Sequence, residues 1–181
     1  MIYVFLATGF EDIEAIAPVD IMRRAGLQVQ TVSITGEKVV QSAHGVGIEA
    51  DLLLPDVDFQ QAEMLVLPGG LPGSTNLDVC QPLTKAIKQH FETGGAIAAI
   101  CAAPLVFGHL GLLKGRRATC YPGKESMLDG ADFSAETVVC DGTIITSRGA
   151  GTTIPFALSI IAYLDSAAHA DEIARKIVYL T

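Results

Sequence analysis

A single cysteine, Cys101, lies among small residues in the stretch GGAIAAICAAPLVFG. The apolar run before it predicts a buried strand, and Pro104 favours the first turn of a following helix. The alanines around Cys101 leave room for the sharp strand-to-helix turn on which some hydrolases expose a nucleophile. Amide groups at the start of that helix would lower the pKa of the thiol. The competing interpretation is an inert thiol that fills the core.

Two further segments carry groups that a reactive thiol would need. Glu14 follows the first predicted strand, in GFEDIEAI, and Gly69 and Gly70 follow another, in LPGGLPGS. Burial would keep Glu14 protonated, so that it donates a hydrogen bond to a Cys101 thiolate and moves protons during covalent chemistry. The amides of Gly70 and Ala102 would bind a developing oxyanion. An ordinary first-turn acid and a flexible loop are the competing interpretations.

Alternating buried strands and amphipathic helices must position these groups. The predicted strands are residues 2–7, 28–34, 63–70 and 96–100, with hairpins at 38–51 and 138–147, and the predicted helices are residues 13–25, 82–95, 103–113, 152–164 and 169–180. This order predicts an α/β, flavodoxin-like doubly wound sandwich with a mostly parallel central sheet, as a single domain over residues 1–181. Sites in such sheets lie at the carboxyl ends of the strands, where Glu14, Gly70 and Cys101 are expected.

Composition narrows the classes of function. Half of the 181 residues are hydrophobic, which predicts a sizeable core, and the net charge of -8 argues against a nucleic-acid partner. The first residues show neither a signal peptide nor a membrane span, so we expect a cytoplasmic protein with no membrane partner. Four cysteines lack any C-x-x-C pair, so no metal site is predicted and free thiols are expected. They are Cys80, Cys101, Cys120 and Cys140.

Five segments, in order along nearly the whole chain, resemble the ThiJ/PfpI superfamily and its Parkinsonism-associated deglycase-like branch. They are GFEDIEAIAPVDIMRRAG, LVLPGG, AAICAAP, ATCYPG and ITSRGAGT. The resemblance implies a flavodoxin-like homodimer with Cys101 as the nucleophile, Glu14 as the protonated acid that touches it, and Gly70 and Ala102 as backbone donors. It implies no cofactor.

The resemblance also implies a function. That function is a cysteine-dependent small-carbonyl enzyme of glyoxalase or deglycase type, which acts on a reactive aldehyde or a glycated adduct and protects against oxidative stress. One alternative is a redox sensor or chaperone-like protein that works through oxidation of Cys101. The others are an intracellular cysteine peptidase and a relative named for thiazole biosynthesis.

Several positions depart from the pattern of the superfamily. Ala102 stands where the peptidase branch has a histidine, which disfavours a peptidase because the leaving group then lacks a proton donor. The distant His-Pro-Glu element of related amidotransferases is represented only by HADE near the end of the chain. Tyr121 replaces a pocket histidine of the human relative, and His44 replaces an arginine of its dimer-side pocket. These two residues, with Gly69 and Arg24, complete the predicted substrate pocket. The competing interpretations are an ordinary half-buried aromatic ring for Tyr121 and a solvated helix charge for Arg24. Cys80, Cys120, Cys140 and Arg148 are predicted to be structural.

Overall fold

The computed structural model describes residues 1–179, which form eleven strands and six α-helices. The strands are β1 (Ile2–Leu6), β2 (Val29–Ser33), β3 (Val39–Gln41), β4 (Gly47–Glu49), β5 (Leu52–Leu53), β6 (Met64–Leu67), β7 (Ala96–Ile100), β8 (Arg117–Ala118), β9 (Asp132–Phe133), β10 (Val138–Asp141) and β11 (Ile144–Ser147). The helices are α1 (Asp12–Arg24), α2 (Gly73–Val79), α3 (Gln81–Glu92), α4 (Pro104–His109), α5 (Thr153–Leu164) and α6 (Ala167–Lys176).

Seven of the strands form one central sheet in the order β10-β11-β7-β6-β1-β2-β5. All neighbours are parallel except the edge pair β10 and β11. The order of the five long parallel strands, β2-β1-β6-β7-β11, is the flavodoxin-like order, in which the chain switches direction between β1 and β6. The predicted fold class is therefore confirmed, and both hairpins lie where the sequence predicts them.

Strands buried on both faces explain the two apolar layers of the core. Alternate residues of β1 point to opposite faces, so Ile2, Val4 and Leu6 join one cluster while Tyr3 and Phe5 join the other. Helices α1, α5 and α6 cover the first face, and α5 packs between the other two. Helices α2, α3 and α4 cover the second face. The sheet is thus held rigidly from both sides, and its carboxyl edge is a fixed platform.

Some local elements differ from the expectation. Helix α4 ends at His109 instead of residue 113, because glycines at 108 and 111 weaken it and Gly111 adopts a φ of 73°. Helix α2 was not predicted, since its sequence GSTNLDV has few strong helix formers. The last helix ends at Lys176, and the predicted end at residue 180 lies outside the described residues.

No helix within residues 1–179 combines the length and apolar character needed to cross a bilayer.

Candidate active site

Four neighbouring parallel strands end at one place on the carboxyl edge of the sheet. Glu14 lies in the first turn of α1 after β1, Gly69 follows β6, Cys101 follows β7, and Ser147 ends β11. Backbone hydrogen bonds tie these loops together, since the Cys101 amide donates to the Ser147 carbonyl at 3.0 Å and the Glu11 amide donates to the Gly69 carbonyl at 2.9 Å. The sheet therefore brings together groups that are far apart in the sequence.

Cys101 adopts a left-handed backbone conformation with φ of 65°. This region is costly for a residue with a side chain, by roughly 1–2 kcal/mol. The turn is held in place by the hydrogen bond to Ser147 on one side and by the Tyr121 amide, which donates to the Cys101 carbonyl at 2.8 Å, on the other. Such strain at an element boundary is typical of functional positions. The strand-to-helix turn predicted from the alanines around Cys101 has this geometry.

Position 69 requires a glycine because Cys101 and the Glu14 carboxyl both pack closely against it. A Cβ atom built on it would lie 2.3 Å from Glu14 Oε2 and 2.6 Å from Cys101 Cβ. No side chain fits in that space. The backbone of Gly69 therefore packs against both Glu14 and Cys101.

The Glu14 carboxyl is the most unusual ionisable group of the site. Glu14 is only 1% exposed, and its Oε2 atom has no hydrogen-bond partner of good geometry within residues 1–179. Burial raises the pKa of Glu14 to about 7, and the charge of Glu11 adds to the rise. The Cys101 thiol and the amides of Gly69 and Ala150 face the carboxyl and counteract part of it. Glu14 is therefore protonated in weakly acidic solution and titrates near neutrality.

The thiol of Cys101 shifts opposite to the sequence-based expectation. Burial raises the pKa of Cys101 to about 12, and the negative charge of Glu14 and its interaction with the sulfur contribute to the rise. The amides of Gly70 and Ala102 lower it, but they do not outweigh burial. The expected help from the helix is small because α4 has only six residues. The expectation of a lowered pKa for the Cys101 thiol is therefore wrong.

The electrostatics of the pair depend on which group holds the proton. Between the two pKa values, the thiol and the carboxyl together carry one negative charge. When Glu14 is the ionised group, it repels a thiolate. When the proton moves from sulfur to Glu14, that repulsion vanishes and the carboxyl becomes a hydrogen-bond donor. The thiolate is therefore reached by an internal proton transfer that leaves the net charge unchanged.

A cavity of about 210 Å³ opens directly above the thiol. It is lined by Gly70, Leu71, Cys101, Ala102, Tyr121 and Lys124. Leu71 is 55% exposed and Tyr121 is 50% exposed, so both form the rim and not the floor. The ring of Tyr121 lies against Gly149, where a Cβ would approach Tyr121 Cδ2 to 3.3 Å. The floor of the cavity is the sulfur together with the neighbouring backbone.

The structure places the other predicted pocket residues differently. Tyr121 lines the cavity, whereas His44 and Arg24 do not. His44 Nδ1 lies 2.7 Å from Asp12 Oδ2, and this contact raises the pKa of His44. Arg24 lies in the last turn of α1, at the opposite end from Glu14, and its Nε donates to Asp20 Oδ2 at 2.7 Å. As substrate ligands these two residues stay predictions, without support from the geometry of the single chain.

One group of side chains has the donor types of a metal site. Glu11, Asp12 and His44 each offer a ligand atom, and these atoms lie within 4.8 Å of one another. Their contacts already engage them, because Glu11 accepts from the Glu14 amide at 2.8 Å and Asp12 accepts from the hydroxyl of Ser42 at 2.5 Å. The group thus serves to begin α1 and to anchor the loop after β3.

The remaining residues singled out in the sequence lie outside the cavity. Cys120 is buried, and burial raises the pKa of its thiol to about 11. Arg148 donates to the Ala135 carbonyl at 3.1 Å, which ties two loops together. Sequence reasoning missed Leu71 and Lys124, which line the cavity. Lys124 follows Tyr121 by three residues in CYPGKE, and only the path of that loop over Cys101 reveals its place.

Comparisons with known proteins identify the family of this chain. The model of the DJ-1/PfpI family matches residues 1–163. Protein DJ-1 homolog B of Arabidopsis thaliana is 39% identical over 175 residues, which are 96% of this chain but 40% of the relative. The chain thus spans less than half the length of that relative.

Two further relatives match along most of their own length. The glutathione-independent glyoxalase DJR-1.2 of Caenorhabditis elegans is 36% identical over 86% of this chain and 83% of that protein. The solved structure of oxidized Toxoplasma gondii DJ-1 superposes with a TM-score of 0.95 at 33% identity, covering 99% of this chain and 98% of that one. The family match over most of the chain and these alignments lead to one conclusion: the chain belongs to the DJ-1/PfpI family.

Proposed function

We propose that this chain is a cofactor-independent glyoxalase in which Cys101 and Glu14 convert an α-oxoaldehyde, such as methylglyoxal, into a 2-hydroxy acid. The observation that carries the proposal is the buried Glu14 carboxyl, which faces the Cys101 thiol and whose pKa is raised by burial to about 7. A group that titrates near neutral pH can both take up and return a proton. The glyoxalase name of the Caenorhabditis elegans relative supports the same reaction class.

The reaction begins at the thiol. The Cys101 proton moves to Glu14 while the sulfur adds to the aldehyde carbon, so that one S–C bond forms and the C=O π bond breaks. The amides of Gly70 and Ala102, which already stabilise charge on the sulfur, face the oxygen that becomes negative. Glu14 then returns its proton to this oxygen, which gives a neutral hemithioacetal.

The isomerisation needs one group that first removes a proton and then gives one back. Ionised Glu14 takes the proton from the former aldehyde carbon, and the electron pair moves to the neighbouring carbonyl, which becomes an enediolate. Glu14 then gives this proton to the neighbouring carbon, while the hydroxyl proton of the first carbon moves to the negative oxygen of the second. The product is a thioester of the 2-hydroxy acid. Water cleaves the S–C bond, and the sulfur leaves as the thiol. The sum is one oxoaldehyde plus one water, with no net oxidation or reduction.

Lactate formation from methylglyoxal, without glutathione or added metal, tests this function. We expect the wild type to form lactate and Cys101→Ala to form none. Glu14→Gln keeps the shape of the side chain but cannot shuttle a proton, so its turnover should fall by about 10²–10⁴-fold. Cys140→Ala is the matched control, because Cys140 is an exposed thiol on β10 outside the cavity.

Two results would contradict the proposal. One is unchanged lactate formation by Glu14→Gln with its fold intact by circular dichroism. The other is an equal loss of turnover in Cys140→Ala and Cys101→Ala, since a general thiol effect would not distinguish the two positions. Deglycation of protein adducts by the same pair is the finer form of this proposal, and release of the hydroxy acid from a glycated peptide measures it.

Oxidation of Cys101 is a second candidate function. Its support is the position of the sulfur at the floor of an open cavity, near two backbone amides, and the oxidized state of the similar Toxoplasma gondii protein. Hydrogen peroxide would convert the thiolate to a sulfenic acid and then a sulfinic acid. Mass spectrometry after mild peroxide should find oxidation concentrated at Cys101. Equal oxidation of exposed Cys140 would count against a sensor.

The remaining expectations come from the sequence and the resemblance and not from the geometry of the site. A homodimer, a cytoplasmic location and a protective role against oxidative stress are proposals for this chain. A peptidase has less support, because no histidine is among the residues that line the cavity in the described part of the chain. A thiazole-related or chaperone-like role has no contact in the site that favours it.

A further inference from the structure

Lys124 is a cation in the wall of the cavity that the proposed mechanism does not use. Its side chain is partly buried and lines the same 210 Å³ space as Cys101. Within residues 1–179, the lysine ion pairs are Lys88 with Glu92 and Lys176 with Glu172, and Lys124 joins no carboxylate. A lysine without a counter-ion can form a charge-assisted hydrogen bond with an anion that enters the cavity it lines.

The acid next to Lys124 in the sequence does not neutralise it. The carboxylate of Glu125 accepts a hydrogen bond from the Gly123 amide at 3.0 Å. That amide, with the amide of Glu125 itself and the charge of Arg148, lowers the pKa of Glu125, and Lys124 is not among the causes. The Glu125 carboxylate is therefore engaged with its own loop. The charge of Lys124 remains available to the cavity.

Lys124 and Cys101 line the same cavity, together with Gly70 and Ala102. A ligand that fills this space can therefore contact both the thiol and the lysine.

The size of the cavity limits the ligand. A volume of about 210 Å³ corresponds to roughly seven water molecules at ~30 Å³ each. This volume accommodates a chain of about five carbons. One ammonium, with the apolar Leu71 and the ring of Tyr121 beside it, provides a single strong contact in surroundings of low polarity. A carboxylate matches one such contact, whereas a phosphate dianion would leave acceptor oxygens unpaired.

We propose that Lys124 binds the carboxylate of a short α-oxoaldehyde whose aldehyde end reaches Cys101, so that the site prefers such anionic substrates to methylglyoxal. The inference rests on the proposed glyoxalase function and names its substrate class. Lys124 is a specificity residue here, because it contacts the end of the substrate that does not react. Its contact is the same before and during the reaction, so its loss should raise KM and leave kcat nearly unchanged.

The first test compares two substrates. They are 4,5-dioxopentanoate, which adds one water to give 2-hydroxyglutarate, and methylglyoxal, which gives lactate. Lys124→Met removes the charge and keeps most of the length, Lys124→Arg keeps the charge, and Lys85→Met is the control. Lys85 is exposed on α3 and does not line the cavity, so it changes the net charge equally.

We expect Lys124→Met to lower kcat/KM for 4,5-dioxopentanoate by about tenfold or more, as for a lost hydrogen bond to a charged group. The loss should lie in KM, and it should be clearly larger than the change for methylglyoxal, which has no carboxylate. Lys124→Arg should retain most of the preference, and added salt should reduce it in the wild type. Equal activity of wild type and Lys124→Met on 4,5-dioxopentanoate would overturn the inference and leave the glyoxalase function standing.

A second measurement does not depend on turnover. The unreactive analogue 4-oxopentanoate has the same carboxylate but no aldehyde, and its dissociation constant is measured by NMR titration of each variant. We expect binding to weaken about tenfold in Lys124→Met and to stay unchanged in Lys85→Met. If the wild type turns over neither substrate, the glyoxalase function fails and this titration alone decides on Lys124. Absent or equal binding in wild type and Lys124→Met would then refute the anion site.

Discussion

Replacing Glu14 by glutamine should stabilise the fold at pH 8 while it removes the proposed activity. The reason is that Glu14 is almost fully buried, and burial raises its pKa from an ordinary 4.5 to about 7. The folded chain therefore holds the proton of Glu14 more tightly than the unfolded chain does. The wild type therefore loses stability as the pH rises from about 4.5 to 7. Over this range the Glu14 carboxyl ionises readily in the unfolded chain, whereas in the folded chain it must either stay protonated or ionise while buried.

The size of this loss follows from the two pKa values. Each tenfold change in proton affinity is worth about 1.36 kcal/mol, so the rise from 4.5 to about 7 corresponds to roughly 3 kcal/mol at pH 8. At pH 5 the same group costs less than about 1 kcal/mol, because the folded carboxyl is still neutral and the unfolded one is only partly ionised. Glutamine does not titrate, and its amide donates a hydrogen bond as the protonated acid would.

Urea denaturation at pH 5, 6, 7 and 8, at one protein concentration, measures the effect. The free energy of unfolding of Glu14→Gln minus that of the wild type should grow by roughly 2–3 kcal/mol between pH 5 and pH 8. Glu37→Gln is the control, since Glu37 is exposed in the loop before β3. A difference that stays constant with pH, or a wild type that gains on the variant as the pH rises, would refute a raised pKa of Glu14.

The backbone around the thiol gives two further predictions. Gly69→Ala should destabilise the fold by about 1–3 kcal/mol and abolish most turnover, because its Cβ would lie 2.3 Å from Glu14 Oε2. Gly149→Ala should have smaller effects on thermal unfolding and lactate formation, because the nearest atom to its Cβ would be Tyr121 Cδ2 at 3.3 Å. Equal effects of the two variants would contradict the close packing around Gly69. The free energy of unfolding in urea should be about 1 kcal/mol larger for Cys101→Gly than for Cys101→Ala, because glycine adopts the φ of 65° at this position without strain. Equal midpoints would contradict backbone strain.

The fold and the meeting point of the site could be predicted because they depend on patterns along the chain. Continuous apolar runs at β1, β6 and β7 indicate strands buried on both faces, and a parallel sheet brings their carboxyl ends to one edge. Glu14 and Cys101 follow two of those runs directly. Their proximity is therefore a consequence of topology, which the order of strands and helices already contains.

The order of ionisation and the cavity wall could not be predicted in the same way. A pKa depends on how deeply each atom is buried, and the sequence does not show that α4 ends after six residues or that Gly69 packs closely against the Glu14 carboxyl. Lys124 belongs to an irregular loop, where periodicity carries no information about direction. Its place over Cys101 depends on the hydrogen bond from the Tyr121 amide to the Cys101 carbonyl.

The first turn of α1 explains why the buried Glu14 carboxyl is not needed to cap the helix. An acid in this position usually stabilises the helix by accepting from free backbone amides. In this chain Glu11 takes that role, because its carboxylate accepts from the Glu14 amide at 2.8 Å. The side chain of Glu14 is thereby free to face Cys101, and the negative charge of Glu11 helps to raise its pKa. Glu11 therefore begins the helix, and Glu14 keeps its proton until neutral pH, where the thiol needs a proton acceptor.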